Sequence, residues 1–155
     1  MAVTLTQALT ASQGTHLVLY DGVCGLCNRL LQFLLKHDHR RVFSFASLQS
    51  ATGRAMVARR GGNPEELSSF YVIADFRTQN ARAVTKSDAA LFVVCQLGWP
   101  WRALRVGRVL PRALRNRAYD AIARSRYQIF GRYDQCLLPQ AEHRSRFVDA
   151  AEGAK

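Results

Sequence analysis

The chain has 155 residues, 48% hydrophobic and 21% charged, which suits one domain with its own core and excludes a small disulfide-stapled scaffold. Its net charge of +11 rests on 19 Arg and 3 Lys against 11 acidic residues. In a chain rich in Ala, Arg and Gly this bias reads first as composition, and only second as a surface for phosphate or anionic lipid.

Residues 1–15 hold no Lys or Arg, so they lack the basic start of a targeting peptide and read as a loose, flexible N-terminal arm. Residues 16–20, His-Leu-Val-Leu-Tyr, read as a buried strand. From Gly25 to about His37, Cys27, Leu30, Leu31, Leu34 and Leu35 recur at helical spacing. Residues 42–46 alternate as a second strand, and Ser47 to about Arg60 predicts a helix closed by Gly61-Gly62.

Residues 70–74 form a third strand and 81–85 a weaker fourth, joined as a hairpin. Ser87 or Asp88 is placed to cap a helix that runs to Leu97 and stops at Gly98. That apolar stretch, Ala89 to Trp101, is too short and interrupted to span a membrane. Trp99 to about Phe130 reads as two amphipathic helices with Pro100 and Pro111 in first-turn positions and eight arginines against Asp120 alone. After Pro139 the chain is polar and reads as a frayed tail. The predicted order is β-α-β-α-β-β-α plus a helical extension. It describes an α/β fold of thioredoxin or glutaredoxin type, with a core at 16–98, an extension at 99–139 and a tail at 140–155.

The chemistry concentrates at Tyr20-Asp21-Gly22-Val23-Cys24-Gly25-Leu26-Cys27, where a strand passes through a turn into a helix. A Cys-x-x-Cys pair at a helix start is the arrangement of dithiol–disulfide chemistry, because thiolate is the nucleophile and unpaired N–H groups at a helix N-terminus favour an anion. Cys24 is expected to be the partly exposed attacker with a lowered pKa. Cys27, one turn on and aligned with the leucines, is expected to be the more buried, resolving thiol. Gly22 is read as freeing the turn, Gly25 as a small uncharged neighbour and Tyr20 as the strand end.

Asp21 has two readings: a general base for Cys27, or a cap and turn residue. A zinc site would need Cys95 and Cys136, or a histidine among His16, His37, His39 and His143, to join the pair, and the spacings do not favour it. Cys95 reads as core. Cys136 reads as packed, with a third redox role the alternative. His37 and His39 suit a helix C-terminus.

At these residues the chain resembles the DCC family of thiol-disulfide oxidoreductases, whose Asp-x-x-Cys-x-x-Cys signature is matched by Asp21, Cys24 and Cys27. The similarity continues through Phe45-Ala46-Ser47-Leu48-Gln49-Ser50 and Ser87-Asp88-Ala89 to Arg124-Ser125-Arg126-Tyr127-Gln128-Ile129-Phe130-Gly131 and Cys136. The resemblance implies a thioredoxin-like redox activity; the reading that follows is an enzyme with a redox-active disulfide, acting on thiol- or disulfide-bearing proteins or small molecules and expected to need no bound cofactor. It departs from the thioredoxin pattern at Leu67-Ser68-Ser69, where the groove proline is missing and Pro64 lies too early. The expected location is the cytoplasm. The alternative function is an Arg-rich module binding nucleic acid, acidic protein or anionic membrane, its thiols a redox switch or structural or zinc ligands.

Overall fold

A computed structural model of the chain describes residues 15–63, 70–132 and 140–150. The expectations for the N-terminal arm, the groove-proline position and Cys136 lie outside the described residues, apart from Thr15 at the arm's end.

Four strands, β1 (His16–Tyr20), β2 (Phe43–Ser47), β3 (Tyr71–Ala74) and β4 (Arg82–Thr85), form one sheet in the order β2-β1-β3-β4. β1 and β2 are parallel, with Val18 opposite Phe45. β3 runs antiparallel to β1, and β4 antiparallel to β3. The parallel pair requires a crossover, which α1 (Gly25–His37) supplies. The antiparallel pair β3-β4 is the expected hairpin.

Helix α2 (Ala51–Arg59) follows β2, and α3 (Lys86–Gln96) follows β4. A 3-10 helix then runs Trp101–Val109, α4 spans Arg112–Phe130 and a second 3-10 helix covers Ala141–Arg146. The mixed sheet with its helices is the thioredoxin-like α/β arrangement anticipated from the sequence. Among the described residues, no helix is long and apolar enough to cross a membrane.

Both sheet faces are covered, so the strands read as continuous apolar runs. Alternation along β1 sorts its residues by face. Val18 and Tyr20 join Phe45, Val72, Leu31, Leu34 and Val93 in one core, beside α1 and α3. Leu17 and Leu19 join Ile73, Met56 and Val57 in the other, beside α2.

Three local expectations are corrected. Helix α2 starts at Ala51 because Ser47 completes β2 and Ser50 caps the helix, its hydroxyl accepting from Gly53 N at 3.0 Å. Neither Ser87 nor Asp88 caps α3: Thr85 holds the cap position without a side-chain hydrogen bond. Ser87 instead donates to Asn116 at 2.5 Å, and Asp88 pairs with Arg112 and Arg115, so both side chains fasten α3 to α4. The first amphipathic helix of the extension is a 3-10 helix, and Pro100 and Pro111 stand at the caps rather than inside the first turns.

The tail is a further correction over residues 140–150. Phe147 and Val148 are buried on opposite sides of the sheet, and Val148 N donates to Phe45 O at 2.9 Å. Arg146, only 2% exposed, donates to Asp38 at 2.5 Å and to Phe43 O at 3.2 Å. A mostly polar segment docks because two apolar side chains are buried and its deepest charge is paired.

Candidate active site

β1 ends at Tyr20, whose ring is buried and packs edge-on against Phe147, as suits a strand end. The chain turns through Asp21, Gly22 and Val23 and enters α1 with Cys24 at the cap position. Asp21 O accepts from Cys24 N at 3.2 Å, and Asp21 Oδ1 accepts from Val23 N at 3.1 Å, which closes an Asx-type turn. Gly22 makes this turn without a left-handed φ. Its peptide is tied on both sides: Asn28 Nδ2 donates to Gly22 O at 2.9 Å, and Gly22 N donates to Gln49 Oε1 at 3.0 Å.

The capping reading of Asp21 is thus corrected in part: it shapes the turn but makes no hydrogen bond into α1. Its carboxylate, 1% exposed, faces the other way. Oδ2 accepts from Arg126 Nη2 at 3.1 Å and from the Tyr127 hydroxyl, and Oδ1 accepts from Gln49 Nε2 at 2.6 Å. Arg126 also donates to the Tyr127 hydroxyl at 3.1 Å. α4 can supply both partners because Asn116, Tyr119, Asp120, Ala123, Arg126 and Tyr127 recur at three- and four-residue spacing on one helix face.

Cys24 and Cys27 are free thiols, and both are buried. The expected outward exposure of Cys24 is corrected, because its residue has 0% exposed surface against 8% for Cys27. The cover comes from the end of α4. Gly25 N donates to Gly131 O at 3.1 Å, and Cys24 forms an isolated antiparallel bridge with Arg132. Only glycine fits at position 25, since a Cβ there would stand 2.0 Å from Phe130 O.

The two sulfurs are electrostatically opposite. The Cys24 pKa is lowered to about 6, first by a hydrogen bond with the Cys27 thiol, against the upward push of burial, and then by the Cys27 backbone, Arg126 and the Leu26 backbone. Cys27 is pushed strongly up, first by its hydrogen bond to Cys24, then by burial and by the charge of the Cys24 thiolate. Both shifts favour the thiolate at Cys24 and the protonated thiol at Cys27. Burial, reinforced by hydrogen bonding to Asp21, raises the pKa of Tyr127, which keeps its hydroxyl a donor.

Sequence reasoning found Asp21, Cys24 and Cys27 and missed Gln49, Arg126, Tyr127 and Asn28. All four lie inside or directly at the end of stretches that carried the family resemblance, but spacing along the chain holds no sign that positions 21 and 126 meet. Cys95 is half-buried on α3 and its thiol is free. Among the described residues, no three His, Cys, Asp or Glu side chains gather as metal ligands.

Comparison with known proteins agrees with this geometry. A family model of DCC1-like thiol-disulfide oxidoreductases matches residues 18–132, and the chain belongs to that family. It is 37% identical to the uncharacterized protein YuxK of Bacillus subtilis over 133 residues, covering 86% of this chain and 93% of the relative. It is 34% identical to a chloroplastic DCC family protein of Arabidopsis thaliana over 123 residues, covering 79% of this chain and 69% of the relative. No solved structure matches significantly.

Proposed function

We propose that the protein exchanges disulfides with a thiol- or disulfide-bearing substrate, with Cys24 as nucleophile and Cys27 as the resolving thiol. The observation that carries this reading is the pair of free thiols at the start of α1, Cys24 at the cap position and Cys27 one turn on; their mutual hydrogen bond lowers the Cys24 pKa to about 6. The Cys24 thiolate attacks one sulfur of the substrate disulfide. The substrate S–S bond breaks, one thiolate leaves, and a Cys24–substrate mixed disulfide forms.

That step removes the charge and the hydrogen-bond partner that held the Cys27 proton in place. Cys27 then loses its proton to a departing substrate thiolate by way of solvent and attacks Cys24 Sγ. The products are the Cys24–Cys27 disulfide and two reduced substrate sulfurs, and a second dithiol returns the enzyme to its starting state.

In this mechanism Asp21 is a positioning residue. Four donors surround its carboxylate: Val23 N, Gln49, Arg126 and Tyr127. Both carboxylate oxygens are already taken up by these donors, which argues for a positioning role over that of a general base. Its work is to hold Arg126 where that charge favours both thiolates. Tyr20, Gly22 and Gly25 support the turn and the close approach of α4. Attack also requires residues 130–132 to move, since they cover Cys24.

The proposed compartment is a reducing one, the cytoplasm; the plant relative's name assigns that protein to the chloroplast. The test is capture of mixed disulfides by mass spectrometry with a small disulfide and with cell extract. Cys27→Ser should accumulate adducts on Cys24, and Cys24→Ser should form none at the pair. Full turnover by Cys24→Ser would overturn the assignment.

A further inference from the structure

A second site lies at the other end of the sheet from the thiols. Cys24 follows the C-terminal end of β1, whereas the residues here stand at the start of β4, beyond the end of α1 and at the end of α3. They border a half-open cavity of about 420 Å³ lined by Arg40, Arg82, Arg102, Arg105 and Arg108, with Phe92, Cys95 and Gln96 on its α3 wall.

The 3-10 geometry of Trp101–Val109 creates the arginine row. With three residues per turn, side chains at i and i+3 eclipse, so Arg102, Arg105 and Arg108 stack along one edge at about 6 Å intervals. An α-helix would have fanned them by about 60° at each step. The same winding sends Val106 and Val109, 71% and 84% exposed, along another edge. Arg40 and Arg82 meet the row from the α1 and β4 sides.

Five like charges around one concavity repel each other, and among the described residues no carboxylate pairs with any of them. Asp38 is committed to Arg146, Asp75 faces His16, Asp88 holds Arg112 and Arg115, and Asp120 holds Lys86. A cleft lined by one sign of charge focuses the field and concentrates counter-ions. Guanidinium forks match phosphoryl oxygens two at a time. The volume of about 420 Å³ suits a ligand of a few linked phosphoryl groups.

We propose that this cavity binds a small polyanion bearing two or three linked phosphoryl groups, either free polyphosphate or the phosphate chain of a nucleotide. The site is independent of the thiol chemistry.

Isothermal titration of the full chain at about 150 mM salt, where diffuse attraction is screened, tests it with inorganic tripolyphosphate, ATP and adenosine. Saturable one-to-one binding of tripolyphosphate is expected. Equal affinity for ATP identifies the phosphate chain as the ligand, and tighter ATP binding identifies a nucleotide with Phe92 beside its base. Arg102→Ser/Arg105→Ser/Arg108→Ser should weaken binding at least about tenfold. Arg54→Ser/Arg117→Ser/Arg124→Ser, which removes the same charge from exposed positions outside the cavity, should change it less than about twofold.

If the row variant does not fold, Arg40→Ser/Arg82→Ser tests the opposite wall with the same expected loss. Peptide mapping provides a local readout in the unaltered protein, since tripolyphosphate should slow alkylation of Cys95 but not of Cys24. Equal losses in the cavity and control variants, absence of saturable binding, or unprotected Cys95 would each overturn the proposal.

Discussion

Replacing Arg126 with Met tests whether the buried ion pair organises the active site. Arg126 is 5% exposed and Asp21 1%, so the substitution leaves a carboxylate in the interior without its countercharge. Removing one partner of a buried pair costs about 3–5 kcal/mol. Tyr127, Gln49 and Val23 N still donate to Asp21, which sets the expectation at the lower end, about 3 kcal/mol. Urea denaturation at pH 7 measures it as a lower midpoint at unchanged slope. Asp21→Asn/Arg126→Met, which removes both charges, should be more stable than Arg126→Met alone, and the cycle gives the coupling. A loss below about 1 kcal/mol, typical of an exposed pair, would refute the reasoning, as would a double variant no more stable than the single.

Other consequences are equally direct. Alkylation of Cys24 against pH should titrate near 6; Cys27→Ala should raise that midpoint further than Arg126→Met, because the Cys27 hydrogen bond is the largest influence. The reverse order would mean that the guanidinium, not the shared proton, makes the thiolate. The same shift gives the sign of stability against pH. The folded pKa of Cys24 lies below its ordinary 9.0, so its contribution is present above that value and is lost as pH falls toward 6. Cys27 has a raised pKa and opposes this above about pH 9. Chemical denaturation should therefore show stability rising from pH 6 toward 9, and Cys24→Ser should flatten the rise. Gly25→Ala drives a Cβ into Phe130 O, so it should lower stability by about 1–3 kcal/mol and speed Cys24 alkylation by lifting the cover. Unchanged alkylation would show that residues 130–132 do not gate the thiol. Phe147→Ala should cost about 3–5 kcal/mol in the same denaturation assay, whereas a loss under about 1 kcal/mol would mean the tail is not part of the core.

The order of elements and the place of the thiols were legible along the chain because both depend on near neighbours. A continuous apolar run marked β1 and a period-3.6 pattern marked α1, and the turn at Asp21–Val23 sets Cys24 at a helix start by local geometry alone. Helix capping was less legible. Ser87 and Asp88 have the right chemistry for a cap, but in the fold they bond to α4 instead. Nor does composition distinguish a 3-10 helix from an α-helix at Trp101–Val109, although that winding decides whether three arginines share an edge.

Tertiary structure alone decided the state of the site. Asp21 and Arg126 are 105 positions apart, and no local pattern reports that one will neutralise the other. The burial of Cys24 under Gly131 and Arg132 likewise depends on where α4 ends. The thiol pair itself was thus written in eight consecutive residues. What shifts each sulfur's pKa, what covers Cys24 and what holds Asp21 depend on low-dielectric contacts that exist only after the chain has folded.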